Sequence, residues 1–255
     1  MKVAITGSRG FIGSHLKARL EKDGHEIIEW DLKQNPSRCI KDFDIRQIYE
    51  TNYVIHLAAY ADVRASLKDP QKYWKNNVEN TTRIQNICHH NNIPLLYASS
   101  SCIHNWWLSP YGISKKVNEE TAKFGQVGLR FTTVYGDGAR DSMLIGKLVN
   151  GTIKYLTRHT RDFVHVSDVV DAIVLLMSKD IRSLKPAYDI GTGKGNVVED
   201  LGVLAGWQGI EVTDGDTCEA QNNTADISAM RELGWEPKVD VRDYIVQKTI
   251  QMAGQ

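Results

Sequence analysis

Short apolar runs alternate along this chain with longer stretches in which apolar side chains return every three or four positions. The runs at 2–6, 26–30, 53–57, 95–99, 129–134 and 187–190 are nearly unbroken, the pattern of strands covered on both faces, as in a parallel sheet. Helical periodicity fills the intervals at 11–23, closed by Gly24, at 70–91, at 111–123, and at 169–179 with Ser167 placed as N-cap. This alternation predicts an α/β fold, a Rossmann-type doubly wound parallel sheet. Beyond Gly136 the pattern loosens, and helical stretches at 197–207, 225–234 and 241–253 predict a smaller C-terminal substrate-binding lobe. The expected division is a discontinuous Rossmann domain, 1–135 with 160–191, and a lobe built from 136–159 with 192–255.

Composition narrows the class. The 255 residues are 42% hydrophobic and 24% charged, with 31 basic side chains against 31 acidic. That balance gives no electrostatic pull toward nucleic acid or an anionic membrane, and the expected partners are small molecules or copies of the chain itself. The longest apolar run, 172–177, is far below the roughly 20 residues of a membrane span. The chain opens directly on a strand-like segment with no signal peptide, so a cytoplasmic location is expected. Cys39, Cys88, Cys102 and Cys218 are dispersed, which points to neither a disulfide framework nor a zinc site, and no metal is expected.

The first strand runs into Gly7-Ser8-Arg9-Gly10-Phe11-Ile12-Gly13, which opens the first helix. Glycines let the backbone turn tightly and approach a pyrophosphate whose charge sits at the helix N-terminus. They could also serve a purely structural turn. The strand-loop-helix context and Asp31 at the end of the next strand favour the cofactor reading, because a carboxylate there accepts from the adenosine ribose hydroxyls and repels a 2′-phosphate. NAD is thus expected over NADP, with Gly7, Arg9, Gly10, Phe11, Ile12, Gly13 and Asp31 as contacts and Asp44-Ile45 near the adenine edge.

Tyr111-Gly112-Ile113-Ser114-Lys115 places a phenol and an ammonium group one helical turn apart. The lysine charge, with that of an oxidised nicotinamide, is expected to lower the tyrosine pKa, and the ammonium can anchor the nicotinamide ribose. A tyrosine so tuned takes a proton from a substrate hydroxyl and returns it. The strand just before ends in Tyr97-Ala98-Ser99-Ser100-Ser101, supplying a hydroxyl at the sheet edge where ligands bind in this architecture.

With these residues in place the chain resembles the extended short-chain dehydrogenase/reductases, and within them the nucleotide-sugar 4-epimerases of the UDP-glucose 4-epimerase type. The likeness runs through TGSRGFIGSH, HLAAYADVRASLKDP, NNVENT, ASSS, YGISK, LRFTTVYG, RDFVHVSDVVDA, YDIGTGKG and ADISAMRELGWEP, almost end to end. The resemblance implies Ser101, Tyr111 and Lys115 as the catalytic trio. It implies His56, Leu57, Ala58, Ala59 and Ser99 along the cofactor, with Asn77 supporting the network. Arg161 would contact the diphosphate of a sugar nucleotide, for which its fork of donors is suited; the alternative is an ion pair with Asp162 or Asp168. Two helices, 70–91 and 111–123, resemble the family's dimer-forming pair, which implies a homodimer.

Departures from the family refine the reading. Ser101 is followed by Cys102-Ile103 where dehydratases carry an Asp-Glu pair, which disfavours dehydration. The usual Asn before V-Y-G is Thr133, at the substrate, and the stretch from Ser101 to Tyr111 is short and holds Trp106-Trp107. The expected activity is therefore NAD-dependent C4 epimerisation of a nucleotide sugar. The rivals are a reductase or dehydrogenase with exchanging cofactor and a non-catalytic dinucleotide sensor.

Overall fold

The computed structural model describes residues 1–44, 46, 48 and 50–253. It opens with β1 (Lys2–Thr6), α1 (Phe11–Lys22) and β2 (Glu26–Trp30), then a 3₁₀ turn at Ile40–Asp42 and β3 (Tyr53–His56). Two short helices follow, α2 (Val63–Lys68) and α3 (Pro70–Tyr73), and a π-helical turn at Trp74–Glu79 leads into α4 (Asn80–His90). Next come β4 (Leu95–Ser100), a 3₁₀ segment at Ser101–Leu108, α5 (Pro110–Thr121), β5 (Gln126–Phe131), β6 (Thr133–Tyr135) and α6 (Leu144–Val149). The remainder comprises β7 (Leu156–Thr157), β8 (Thr160–His165), α7 (Val166–Met177), β9 (Ala187–Ile190), β10 (Gly195–Val197) and α8 (Val198–Leu204). It closes with β11 (Val212–Thr213), β12 (Asn222–Asn223), α9 (Ser228–Glu232) and α10 (Val241–Ala253).

The main sheet has six strands in the order β2-β1-β3-β4-β5-β9, all pairs parallel. From β1 the chain crosses to β2 on one side and returns to β3 on the other, so the topological switch point falls between β1 and β3, where carboxyl-end loops diverge and leave a crevice. Alternate strand residues enter two cores. Val3, Ile5 and Leu96 join Leu16, Leu20, Ile173 and Leu176 on one face, while Ala4, Leu95 and Tyr97 join Trp30, Phe43, Ile84 and Cys88 on the other. With both faces covered, the strands read as the continuous apolar runs that the sequence shows.

A third core gathers Tyr135, Leu148, Leu156, Phe163, Leu201 and Ile245 beneath the C-terminal elements. Ala225, Ile227, Met230 and Trp235 pack instead into the core of the main sheet. A second sheet runs β10-β8-β12, with β6 also paired to β8. The stretch read as one strand over 129–134 is therefore two. Thr132 donates its N–H to Ile190 O at 3.1 Å, still on the main sheet, and Thr133 is already paired with Phe163.

Other boundaries differ for local reasons. The helix expected at 169–179 begins at Val166, because the His165 ring, not Ser167, caps it by accepting from the Ser167 N–H at 3.3 Å. The helix carrying Tyr111 starts earlier, with the Ser109 hydroxyl accepting from Gly112 N–H at 3.0 Å and Pro110 in its first turn. The four cysteines are free, and among the described residues no helix is long and apolar enough to cross a membrane.

Candidate active site

The glycine loop leaves β1 at Gly7, whose φ of 71° belongs to the left-handed region. A Cβ there would stand 2.8 Å from Ala58 N, and one at Gly13 would collide with the Gly7 carbonyl oxygen. Gly10 caps α1 without any side-chain acceptor, and the first turn holds no acidic residue, so the helix presents free N–H groups and a positive dipole end. Asp31 accepts from Arg9 N–H at 3.0 Å, holding the loop against the end of β2. Glu29, unremarked in the sequence, binds Lys17, Arg9 and Ser8; burial raises its pKa, but those three bonds outweigh it and the net shift is downward. Asp31 does not line the cleft, and its second oxygen accepts from Lys33 N–H at 2.8 Å. The donor set and the space a side chain would fill both fit a dinucleotide pyrophosphate.

One cleft of about 800 Å³ is lined by this loop, by Tyr111 and Lys115, and by Arg64, Arg161 and Glu219. Lys115 is 3% exposed and donates from Nζ to Ala98 O at 2.7 Å, with Nζ 5.8 Å from the Tyr111 ring centre. Burial pushes its pKa down to about 8 against the opposing pull of Cys102 and Glu119. The expected lowering of the Tyr111 pKa is not what the protein alone produces. Burial raises it, the Cys102 thiol adds to the rise, and a hydrogen bond with the Ser100 side chain lowers it only in part. The low-dielectric surroundings that bring Lys115 down also penalise a phenolate.

Of the three serines, Ser100 lines the cleft, accepts from Cys102 N–H at 3.2 Å and opposes part of the rise in the Tyr111 pKa. Ser101 lines the cleft, but its Oγ accepts from Asn223 Nδ2 at 3.0 Å, and Ser99 donates to Glu119 at 2.6 Å. Asn223 comes from β12, which lies beside β8 and was invisible in the periodicity.

The remaining expected residues divide. Arg9, Gly10, Phe11, Ile12, Leu57, Ala59, Ser99 and Thr133 line the cleft. Ala58 instead backs the loop, donating to Thr6 Oγ1 at 3.2 Å. His56 is buried between Thr6 and Thr81, at 2.6 and 2.9 Å, with its pKa brought down to about 3 by burial and by Lys115, so it is a neutral brace. Asn77 is fully buried and holds the Tyr60 backbone, N–H at 3.0 Å and C=O at 2.9 Å, which supports the cleft wall and touches no ligand space. Asp44 does not line the cleft; Arg46 occupies its carboxylate and holds its pKa near about 2. Ile45 lies outside the described residues. Arg161 pairs with neither Asp162 nor Asp168. It donates to Glu219 at 2.9 Å and to Ala220 O at 2.6 Å, while Asp162 and Asp168 are consumed by backbone N–H groups. Glu219 also receives Arg64 at 3.0 Å, so a carboxylate sits between two guanidinium groups.

The sequence profile of the NAD dependent epimerase/dehydratase family matches residues 3–191. Protein CapI of Staphylococcus aureus is 29% identical, with 95% of this chain and 96% of that one covered. A putative UDP-glucose 4-epimerase of Methanocaldococcus jannaschii is 28% identical, with 95% of each covered. The CapI alignment spans 321 positions against the 255 residues here. Among solved structures, MoeE5 in complex with UDP-glucose and NAD matches at a TM-score of 0.87 and 26% identity, covering 99% of this chain and all of the other at 100%. A glycine loop at a switch point, a tyrosine-lysine pair beside it and a profile match over most of the chain agree: this protein belongs to the NAD dependent epimerase/dehydratase family.

Proposed function

We propose that the protein inverts C4 of a nucleotide sugar, a UDP-sugar, through a transient 4-keto sugar, in the cytoplasm and without net consumption of cofactor. The observation that carries this reading is the single cleft joining the glycine loop to the Tyr111, Lys115 and Ser100 cluster and to Arg161. NAD, the cofactor of the family, supplies a hydride acceptor and donor when bound along the loop and Asp31. Tyr111 Oη is the base for the C4 hydroxyl proton and the acid that returns it. Ser101, with Ser100 beside it, offers a hydroxyl from the cleft wall to steady that group, and Lys115 supplies positive charge that favours the phenolate. Arg161 and Arg64 are placed for the diphosphate, which would take over the donors now given to Glu219. Residues 1–135 with 160–191 hold the cofactor in this reading, and the rest hold the sugar nucleotide.

A specific observation bears on the sugar. Arg140 is exposed, lines the cleft near enough to Tyr73 to favour its phenolate, and has no ion-pair partner among the described residues. Such a cation favours a sugar with a carboxylate; MoeE5, similar in structure, is also seen with UDP-glucuronic acid. Incubating the protein with UDP-glucose and UDP-glucuronic acid and following C4 inversion by proton NMR, with absorbance of reduced cofactor recorded in parallel, tests both points. Inversion with flat absorbance is expected, faster for the acid. Net cofactor reduction or loss of water from the sugar would replace the reading with dehydrogenation or dehydration.

A further inference from the structure

Beside the cleft lies a chain of four charged side chains that the proposed reaction does not use. Glu119, one turn beyond Lys115 on α5, is 11% exposed and grips Arg130 of β5 with both oxygens, at 2.9 Å to Nε and 2.7 Å to Nη2. Arg130 reaches Asp189 of β9 at 3.2 Å, and Asp189 meets the His104 ring at 2.6 Å. The end of β4 is therefore fastened to α5 at two successive residues, by Lys115 Nζ on Ala98 O at 2.7 Å and by the Ser99 hydroxyl on Glu119 at 2.6 Å. The next residue is Ser100, which lines the cleft with Tyr111, and His104 belongs to the segment that follows. Every element that carries a reacting group is tied to one carboxylate.

The strands do not need this clamp to stay together, since β4, β5 and β9 are already paired through their backbones. Partly buried ion pairs contribute little net stability because desolvation offsets their attraction, yet they fix geometry and a local charge. We propose that Glu119 is a positioning residue for the proton-transfer step, holding the end of β4 against the helix that carries Tyr111 and keeping a negative charge near Lys115. The titratable or charged groups facing Lys115 are Tyr111, Cys102, His56 and Glu119. Of these, Glu119 is the group whose removal subtracts an anion from the lysine. Without it Lys115 holds its proton less firmly, and the phenolate of Tyr111 loses support.

The inference rests on Tyr111 as the proton-transferring group, and its test does not need turnover. In NAD-loaded protein, an ultraviolet phenolate titration with the Tyr111→Phe signal subtracted isolates this tyrosine. Glu119→Gln is expected to raise its midpoint by about one pH unit, and Glu119→Asp, which keeps the charge, to restore most of that shift. A midpoint unchanged in Glu119→Gln overturns the proposal. Should that variant fail to retain NAD, Ser99→Ala removes one tie and leaves the ion pairs whole. It is expected to lower kcat about tenfold with KM for the UDP-sugar unchanged, and an unchanged kcat overturns the positioning role. Absence of epimerisation by the unmodified protein would sink the proposed reaction while the titration still decides on Glu119.

Discussion

The Tyr111 oxygen sits where burial and the nearby Cys102 both disfavour the phenolate, and only the Ser100 side chain opposes them. Tyr111→Phe removes the titrating oxygen and leaves the ring in its edge contact with Tyr73, 6.4 Å between centres. Turnover is expected to fall by about 10²–10⁴-fold, with retained NAD, assayed by mass spectrometry after denaturation, unchanged. Asp31→Ala deletes a ribose acceptor and a negative charge together, so NAD should bind more weakly and the preference over NADP should shrink, measurable by calorimetry with both dinucleotides. Arg140→Met should raise KM for UDP-glucuronic acid more than for UDP-glucose; equal effects would remove Arg140 from sugar recognition. Sequence alone pointed to the glycines, Asp31, Tyr111 and Lys115, because each is read from a spacing within one local element. Among the serines it chose Ser101. Three adjacent serines are chemically alike; β4 ends at Ser100, a 3₁₀ turn starts at Ser101, and both line the cleft.

At the scale of elements, one apolar spacing departs from the helical three and four. Tyr73 and Val78 are five apart and both buried, and the π-helical turn over Trp74–Glu79 absorbs that step. β8 was missed because its exposed-looking Thr-Arg-Asp start is polar for a reason read only in three dimensions: Asp162 is fully buried and accepts from Thr192, Gly193 and Ala225. The 3₁₀ segment holding Trp106 and Trp107 is anchored by His104 on Asp189, a hydrogen bond that raises the His104 pKa against burial. A histidine whose folded pKa exceeds its usual value of about 6.5 stabilises fully below that value and loses the contribution as pH rises through the folded one. His104→Gln should therefore lower Tm at pH 6 and converge on the unmodified protein by pH 8.5. A difference that does not change with pH would mean the ion pair contributes nothing.

For the whole molecule, assembly follows from what the helices leave uncovered. Tyr73, Val78, Thr81, Ile84 and Cys88 face inward, while Trp74 remains 46% exposed and Ile87 only partly covered. We propose a homodimer through α4 and α5, in which a partner braces the helix that carries Tyr111 and Lys115. Light scattering at assay concentration is expected to give twice the 28.7 kDa chain mass, and a fully active monomer would rule the dimer out. The fold class was legible because alternating runs and periodic stretches recur over the first two thirds of the chain. The C-terminal elements were less so, since β10, β11 and β12 are only two or three residues long and owe their existence to β7 and β8. That dependence has a temporal side. β12 places Asn223 on Ser101 and is followed by Ala225 and Ile227 in the main core. During synthesis the glycine loop and the tyrosine-lysine pair leave the ribosome well before this strand does. A nascent chain can thus form the strand-loop-helix of its glycine loop and the helix of Tyr111 and Lys115 while this part is still unmade, and a late stretch completes both the hydrophobic interior and the cleft wall at Ser101.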